Sequence, residues 1–195
     1  QPRIDESGRV KILWVKAGGL LPLDSGGKIR SYNILRELAK LHEVTYFGFH
    51  AEQESAAHDE LRNIFAEVVC SPLNLPPAKS LTELAQYSLG ILSRDPYAIR
   101  KYCRPPVAKQ LRQLVLSHTY DVIICDFLVA AGVIPWDVPV PKVLFTHNVE
   151  AVIWKRHYEV ARNPFWKMLS WREWRAMEGA ETRYVKQADL VLALF

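Results

Sequence analysis

Residues 10–49 constrain the fold of this chain most, because they combine a strand, a glycine-bearing loop, a helix and a second strand. Residues 10–15 form a short apolar run, which is typical of a strand buried on both faces. Apolar residues then recur at helical spacing over 34–41, and residues 44–49 are rich in β-branched and aromatic types. This order predicts one βαβ unit with a right-handed crossover.

The remaining sequence continues the alternation of strands and helices. We predict further strands at 67–70, 121–125, 142–146 and 189–193, helices at 52–66, 80–93 and 106–117, one or two helical turns over 127–136, and a helical stretch at 150–187 broken near Asn163. The pattern predicts an α/β fold: a Rossmann-like, doubly wound parallel sheet of about six strands in the order 3-2-1-4-5-6. We expect residues 1–9 to be a disordered tail and residues 10–195 to be one domain.

Composition narrows the classes of partner. The net charge of +4 over 195 residues permits contact with an anionic ligand or membrane surface, but it does not indicate a nucleic-acid partner. The three cysteines, Cys70, Cys103 and Cys125, have no metal-binding or redox spacing, so we expect reduced thiols in a cytoplasmic protein without a bound metal. No apolar run approaches the ~20 residues that a membrane-spanning helix needs.

The glycine pair Gly26-Gly27 lies where the first loop turns into the helix. Because glycine has no Cβ, the backbone N–H groups at this helix start can face an anionic ligand directly, and a phosphate is the expected ligand. The dinucleotide motif G-x-G-x-x-G is absent, and Pro22 and Ile29 break the P-loop pattern, which argues against an NAD enzyme and a P-loop NTPase. The alternative is a tight turn that simply opens a helix.

Two polar residues follow the fourth and fifth predicted strands, next to the topological switch that is predicted between strands one and four. Ligands of doubly wound sheets bind outside the carboxyl ends of the strands there. His147 follows the strand at 142–146 and can donate to a sugar hydroxyl or act as an acid or base; the alternative is a histidine satisfied by local backbone. Asp126 follows the strand at 121–125 and is predicted either to orient His147 as a dyad or to cap the next helical turn.

Residues 154–175 hold four of the six tryptophans and more Lys and Arg than Glu. Such a mixture suits peripheral contact with an anionic membrane at the inner face. The alternative is a long helix that packs its aromatic residues on the sheet, since a helical stripe is formed by Phe165, Met168, Leu169, Arg172 and Ala176.

Four segments together resemble a known family. They are KILWV in the first strand, SGGKIRSYNILRELAKLHEVTYF after the loop, FTHNVE after the fifth strand, and AETRYVKQADLVLA at the end. The chain resembles the N-terminal, acceptor-side domain of GT-B glycosyltransferases, in particular the retaining family 4 and its bacterial exopolysaccharide members. The stretch 52–120 carries no recognisable motif.

The resemblance implies an enzyme that transfers a sugar from a nucleotide-sugar donor to a glycan or lipid-linked acceptor, with retention and without a metal or cofactor. It implies that Gly26 and Gly27 approach the donor diphosphate and that His147 contacts the donor sugar. Positions near the acceptor are implied for Lys28, Arg30, Asn148 and Glu150.

This chain departs from the family in one respect. In the family, a second lobe binds the donor and carries an E-x7-E signature. The pairs Glu52/Glu60 and Glu173/Glu181 have this spacing, but neither is in the family's context, and two helical turns explain it. We therefore expect a single lobe that is inactive alone. The alternatives are a lobe of a GT-B-fold nucleotide-sugar epimerase, which needs further acid/base carboxylates, and a non-catalytic interaction module.

Overall fold

A computed structural model of the chain describes residues 8–52, 55–77, 80–146 and 148–193. Its six strands form one sheet in the order β3-β2-β1-β4-β5-β6, and every neighbouring pair is parallel. The strands are β1 (Lys11–Ala17), β2 (Glu43–His50), β3 (Glu67–Pro72), β4 (Val122–Asp126), β5 (Lys142–Thr146) and β6 (Leu190–Ala193). The predicted α/β class and strand order are confirmed.

Helices connect the strands on both faces of the sheet. They are α1 (Gly26–Leu41), α2 (Ser55–His58), α3 (Leu81–Leu89), α4 (Tyr97–Tyr102), α5 (Pro105–Ser117), α6 (Glu150–Val160) and α7 (Pro164–Gln187), with 3-10 turns at Asp59–Asn63 and Leu128–Val133. The helical turns after β4 and the break between α6 and α7 agree with the sequence. Asn163 caps α7 by accepting hydrogen bonds from the N–H groups of Phe165 and Trp166, at 2.9 and 3.2 Å.

The hydrophobic core has two layers, one on each face of the sheet. Successive residues of a strand point to opposite faces, and the side chains on both faces are apolar. On one face Trp14, Tyr46 and Phe145 are buried with Leu35 of α1. On the other face Leu13 and Val15 of β1 are buried with residues of α5, α7 and the turn after β4. This arrangement fixes the carboxyl ends of β1 and β4 side by side.

Two segments differ from the sequence prediction. The helix predicted at 52–66 is only α2 and a 3-10 turn in the described part, because the backbone tightens there to bury His58 and Leu61 completely or almost completely. The helix predicted at 80–93 ends at Leu89 with Gly90 as its C-cap, and the extra helix α4 begins after Pro96. Residues 1–7 of the predicted tail lie outside the described residues.

Candidate functional site

A cleft of about 330 Å³ lies at the carboxyl edge of the sheet, beside the topological switch. Strand β1 pairs with β2 on one side and with β4 on the other. The chain therefore continues from β1 towards one edge of the sheet and from β4 towards the other, and this divergence is the topological switch. A hollow of about 420 Å³ at the opposite edge involves the amino ends of strands, where ligands of this fold class do not bind. The carboxyl-edge cleft is lined by Lys16, Ala17, Gly18, Gly19, Ser25, Gly27, Lys28, Tyr102 and Phe127.

The loop between β1 and α1 requires glycine at two positions. Gly18 and Gly19 have φ angles of +77° and +70°, in the region that other residues rarely adopt. A Cβ on Gly19 would stand 3.0 Å from Nε2 of His58, so a side chain there would also collide with a buried ring. These glycines allow the loop to fold tightly over the end of β2, where the Gly18 N–H donates to the Phe49 carbonyl at 3.0 Å.

A buried histidine holds this glycine loop in place. Nε2 of His58 accepts hydrogen bonds from the N–H groups of Leu20 and Leu21, at 2.9 and 3.2 Å. An imidazole nitrogen that accepts carries no proton, so the ring is neutral with its proton on Nδ1. The ring stacks on His50 with centroids 4.0 Å apart. Sequence reasoning missed this pair, since the only signal was one histidine just before a predicted helix and a second one inside it.

The N-terminus of α1 opens towards the cleft. Oγ of Ser25 caps the helix by accepting from the Lys28 N–H, and the other N–H groups of the first turn have no acceptor inside the helix. Apart from its chain neighbours and the backbone of its own helix, no described residue has a heavy atom within 4 Å of the position that a Cβ on Gly26 would take. A Cβ on Gly27 would instead lie 3.0 Å from the Phe127 ring. Gly27 is therefore needed for packing, while Gly26 leaves the helix start open to a ligand.

Phe127 forms one wall of the cleft in an unusual backbone conformation. Its φ angle of +70° is rare for a residue with a side chain and is held only where surrounding contacts fix it. Nζ of Lys16 lies 4.9 Å from the centre of the Phe127 ring, in a cation–π contact. The ring thus joins the end of β1 to the start of α1.

Beneath this wall lies a buried ion pair that the sequence did not reveal. Nζ of Lys16 is 2.8 Å from Oδ2 of Asp126, and their side chains are only 4% and 0% exposed. The same oxygen accepts from Nε1 of Trp14 at 3.0 Å, and Lys16 also donates to Oγ of Ser31 at 3.3 Å. The pair ties β1, β4 and α1 together under the cleft.

Asp126, which is predicted to cap the next helical turn or to orient His147, is completely buried. The helical turn that follows has Phe127 at its N-cap and no side-chain capping bond, so the capping interpretation is wrong. The Asp126 side chain is fully buried, so its carboxylate is not exposed in the cleft. His147, its predicted dyad partner, lies outside the described residues.

The other predicted site residues flank the cleft at different depths. Nζ of Lys28 is 3.1 Å from Oδ1 of Asp24, and Lys28 lines the cleft itself. Arg30 is exposed on the next turn of α1. Asn148 is exposed beyond β5, and its carbonyl accepts from Oγ1 of Thr146 at 2.7 Å. Of the predicted site residues, Gly27 and Lys28 line the cleft, and Gly26 precedes them as the first residue of α1.

Glu150 begins α6 and is partly buried beside a second carboxylate. Oε1 of Glu181 accepts from the Glu150 N–H at 2.6 Å, so a residue of α7 caps α6. Burial raises the pKa of Glu150, and the nearby charge of Glu181 raises this pKa further. Burial is also the main reason that the pKa of Glu181 is raised.

The E-x7-E spacing of Glu173 and Glu181 has a structural explanation. Glu173 is fully buried and accepts from the Tyr97 N–H at 2.8 Å and the Tyr87 hydroxyl at 3.0 Å, which fastens α3 and α4 to α7. Burial, and then the Glu173 charge, raises the pKa of Tyr87 to about 12. The two glutamates therefore join helices, and their spacing does not mark a donor site.

In the part of the chain that is described, no cluster of three or more His, Cys, Asp or Glu residues is placed to hold a metal ion. The three cysteines are free thiols. Burial raises the pKa of Cys103 to about 11 and that of Cys125 well above its ordinary value, so neither is a ready nucleophile. No described helix is both long and apolar enough to cross a bilayer.

Comparison with known proteins gives similarities of fold at low identity. No protein-family model matches the chain, and no curated protein sequence matches it. The solved C-terminal domain (residues 83–215) of the PF1911 hydrogenase from Pyrococcus furiosus is 18% identical, with a TM-score of 0.44, over 69% of this chain and 90% of that domain. UGT89C1 from Arabidopsis thaliana, complexed with UDP, is 12% identical, with a TM-score of 0.47.

The match to UGT89C1 covers 95% of this chain and 45% of the plant chain, so this chain spans less than half of that protein's length. A second structure of UGT89C1, complexed with quercetin, is 13% identical, with a TM-score of 0.42. At this level of similarity, the activity of neither neighbour carries over to this chain.

Proposed function

We propose that this chain is one lobe of a nucleotide-sugar-dependent glycosyltransferase and that it binds the donor diphosphate at the N-terminus of α1. One observation carries the proposal. The first turn of α1 opens into a cleft at the topological switch of the sheet, and the position of Gly26 leaves its backbone approachable. Because the glycine loop resembles that of family 4 enzymes, we expect the ligand to be the diphosphate of a nucleotide sugar.

The charges around the cleft favour a phosphate group. The N-terminus of a helix carries roughly half a positive charge, and its first N–H groups have no acceptor within the helix. Lys28 adds a cation at the rim, where Asp24, which is 58% exposed, is its partner. A diphosphate can therefore compete with the exposed Asp24 carboxylate for Lys28. The Lys16 charge is already matched by the buried Asp126, so Lys16 supports the wall of the cleft and adds little net charge.

The finer parts of the proposal rest on the resemblance. We propose transfer with retention of anomeric configuration, His147 as the residue that contacts the donor sugar, and Asn148 and Glu150 beside a glycan or lipid-linked acceptor. Arg30 would lie on the acceptor side of α1. The raised pKa of Glu150 would let its carboxyl keep a proton, and so donate a hydrogen bond to an acceptor hydroxyl, at a higher pH than an ordinary glutamate.

The epimerase alternative is less well supported, because it needs acid/base carboxylates that reach the sugar. Asp126 is fully buried and paired with Lys16, so Glu150 is the remaining candidate of the two that the sequence offered. Nothing in the described structure specifically favours a non-catalytic interaction module.

The test is sugar transfer by the longest natural form of the protein, measured with a panel of nucleotide sugars. A Gly26→Leu substitution adds a side chain at the helix start, at a position with room for its Cβ, so it should raise the donor KM by at least about tenfold. The matched control is Gly179→Leu, at a helical glycine of α7 that also has open space. An unchanged donor KM in Gly26→Leu would contradict the proposed site, and an inverted product would contradict the retaining mechanism.

A further inference from the structure

The turn between α6 and α7 carries a group of exposed apolar side chains. Every residue from 162 to 168 is exposed, so the first turn of α7 is uncovered on all sides. We call residues 160–168 the hairpin tip. The exposed fractions of its apolar side chains are 73% for Val160, 64% for Phe165, 57% for Met168 and 42% for Trp166. Exposed large apolar side chains grouped in this way mark an interaction surface.

The base of the same hairpin is packed and gives the tip a rigid support. Trp154 and Trp174 are partly buried against the core. The rings of Tyr158 and Trp174 lie 5.8 Å apart and join α6 to α7. The interpretation of this segment as a core-packing helix therefore holds for its base, but it is wrong for Phe165 and Met168.

The hairpin tip is flanked by positive charge. Four basic residues lie between positions 155 and 168, and Glu159 is the only acidic residue in that stretch of sequence. Glu159 pairs weakly with Lys155, at 3.9 Å. Lys167 lies on the tip itself, with its Nζ 5.2 Å from the centre of the Tyr158 ring. Arg162 is exposed beside it.

We propose that the hairpin tip docks on the surface of an anionic lipid bilayer. Phe165 and Trp166 would enter the boundary between headgroups and acyl chains, where aromatic side chains are favoured, and the basic residues would contact lipid phosphates. This inference goes beyond the proposed enzymatic function and does not depend on it.

The shape of the tip favours a membrane over a protein partner. Successive residues on a helix are rotated by about 100°. Phe165 and Met168 therefore lie about 60° apart on one side of α7, whereas Trp166 lies about 160° from Met168, so the three side chains spread over nearly half of the helix circumference and do not form one flat face. A fluid bilayer can surround such a tip, whereas a rigid protein surface would need a matching socket. A second copy of the chain would bring two basic tips together, which their charges oppose.

The test is co-sedimentation of the chain with vesicles of phosphatidylglycerol and phosphatidylcholine, compared with vesicles of phosphatidylcholine alone. We expect binding to the anionic vesicles that weakens as salt is added. The double substitution Phe165→Ser/Trp166→Ser should lower the vesicle affinity by at least about tenfold, because it removes the apolar anchor. The matched control is Leu116→Ser, which changes a 69% exposed apolar residue of α5 and should leave binding intact.

A second double variant, Arg162→Gln/Lys167→Gln, tests the contribution of positive charge. It should bind anionic vesicles more weakly at low salt, and its vesicle affinity should depend less on the salt concentration. Three results would overturn the proposal. They are no binding of the unmodified chain to anionic vesicles at low salt, equal binding to neutral vesicles, and self-association through Phe165 and Trp166 without vesicle binding. Circular dichroism checks that each variant is folded. We expect all of them to fold, because the substituted side chains are exposed.

Discussion

Replacing Lys16 by methionine should destabilise the domain strongly, because it leaves the Asp126 carboxylate buried without its cation. The two groups are 2.8 Å apart with side chains 4% and 0% exposed, so solvent does not screen the loss. Removing one partner of a buried ion pair costs about 3–5 kcal/mol. With a urea m value of about 2–3 kcal/mol/M, the unfolding midpoint of Lys16→Met should fall by about 1–2.5 M.

The double variant Lys16→Met/Asp126→Asn separates the ion pair from simple loss of packing. Asparagine keeps an oxygen that can accept from the Trp14 indole, at a position where the carboxylate now lies 3.0 Å from Nε1. The double variant should therefore be more stable than the sum of the single effects predicts, by at least about 1 kcal/mol. Urea unfolding followed by tryptophan fluorescence measures all four proteins. A midpoint for Lys16→Met within experimental error of the unmodified chain, or strict additivity, would refute the reasoning.

Two further predictions concern the loop and the first turn of α6. His58→Phe leaves the N–H groups of Leu20 and Leu21 without their buried acceptor and should lower the free energy of unfolding by about 2–4 kcal/mol, measured by thermal unfolding, whereas the exposed His157→Phe should have little effect. Glu150→Gln should raise stability at pH 7, because a carboxyl whose pKa is raised by folding contributes stability that is lost as pH rises through the folded value. This gain should vanish below about pH 3.5, where the carboxyl is protonated in both states, and a gain that persists there would contradict the assignment.

The strand order and most elements were predictable because they follow from local patterns. The strands are short apolar runs, and the break at Asn163 combines a capping residue with a proline. The predicted position of the cleft followed from topology alone, since strand order determines where a parallel sheet reverses direction.

The contacts that shape the cleft were not predictable, since they join residues far apart in the chain. Lys16 reads as a charge at the end of a strand, and only the register of β1 against β4 places it opposite Asp126. His58 lies in a stretch predicted as a helix, yet it is fully buried and binds the glycine loop. Phe127 carries no sequence signal for a positive φ angle, because aromatic residues adopt one only under tertiary constraint.

The claim that α1 binds a phosphate group at its N-terminus is tested most directly by NMR of the chain titrated with inorganic pyrophosphate. The amide resonances of Gly26, Gly27 and Lys28 should move most and saturate together, because the N–H groups of Gly26 and Gly27 have no acceptor within the helix and the Lys28 N–H is held only by the Ser25 cap beside them. The same titration of Gly26→Leu should lose this response while the rest of the spectrum is retained. Shifts confined to exposed basic residues elsewhere, with these three amides unmoved, would contradict the account.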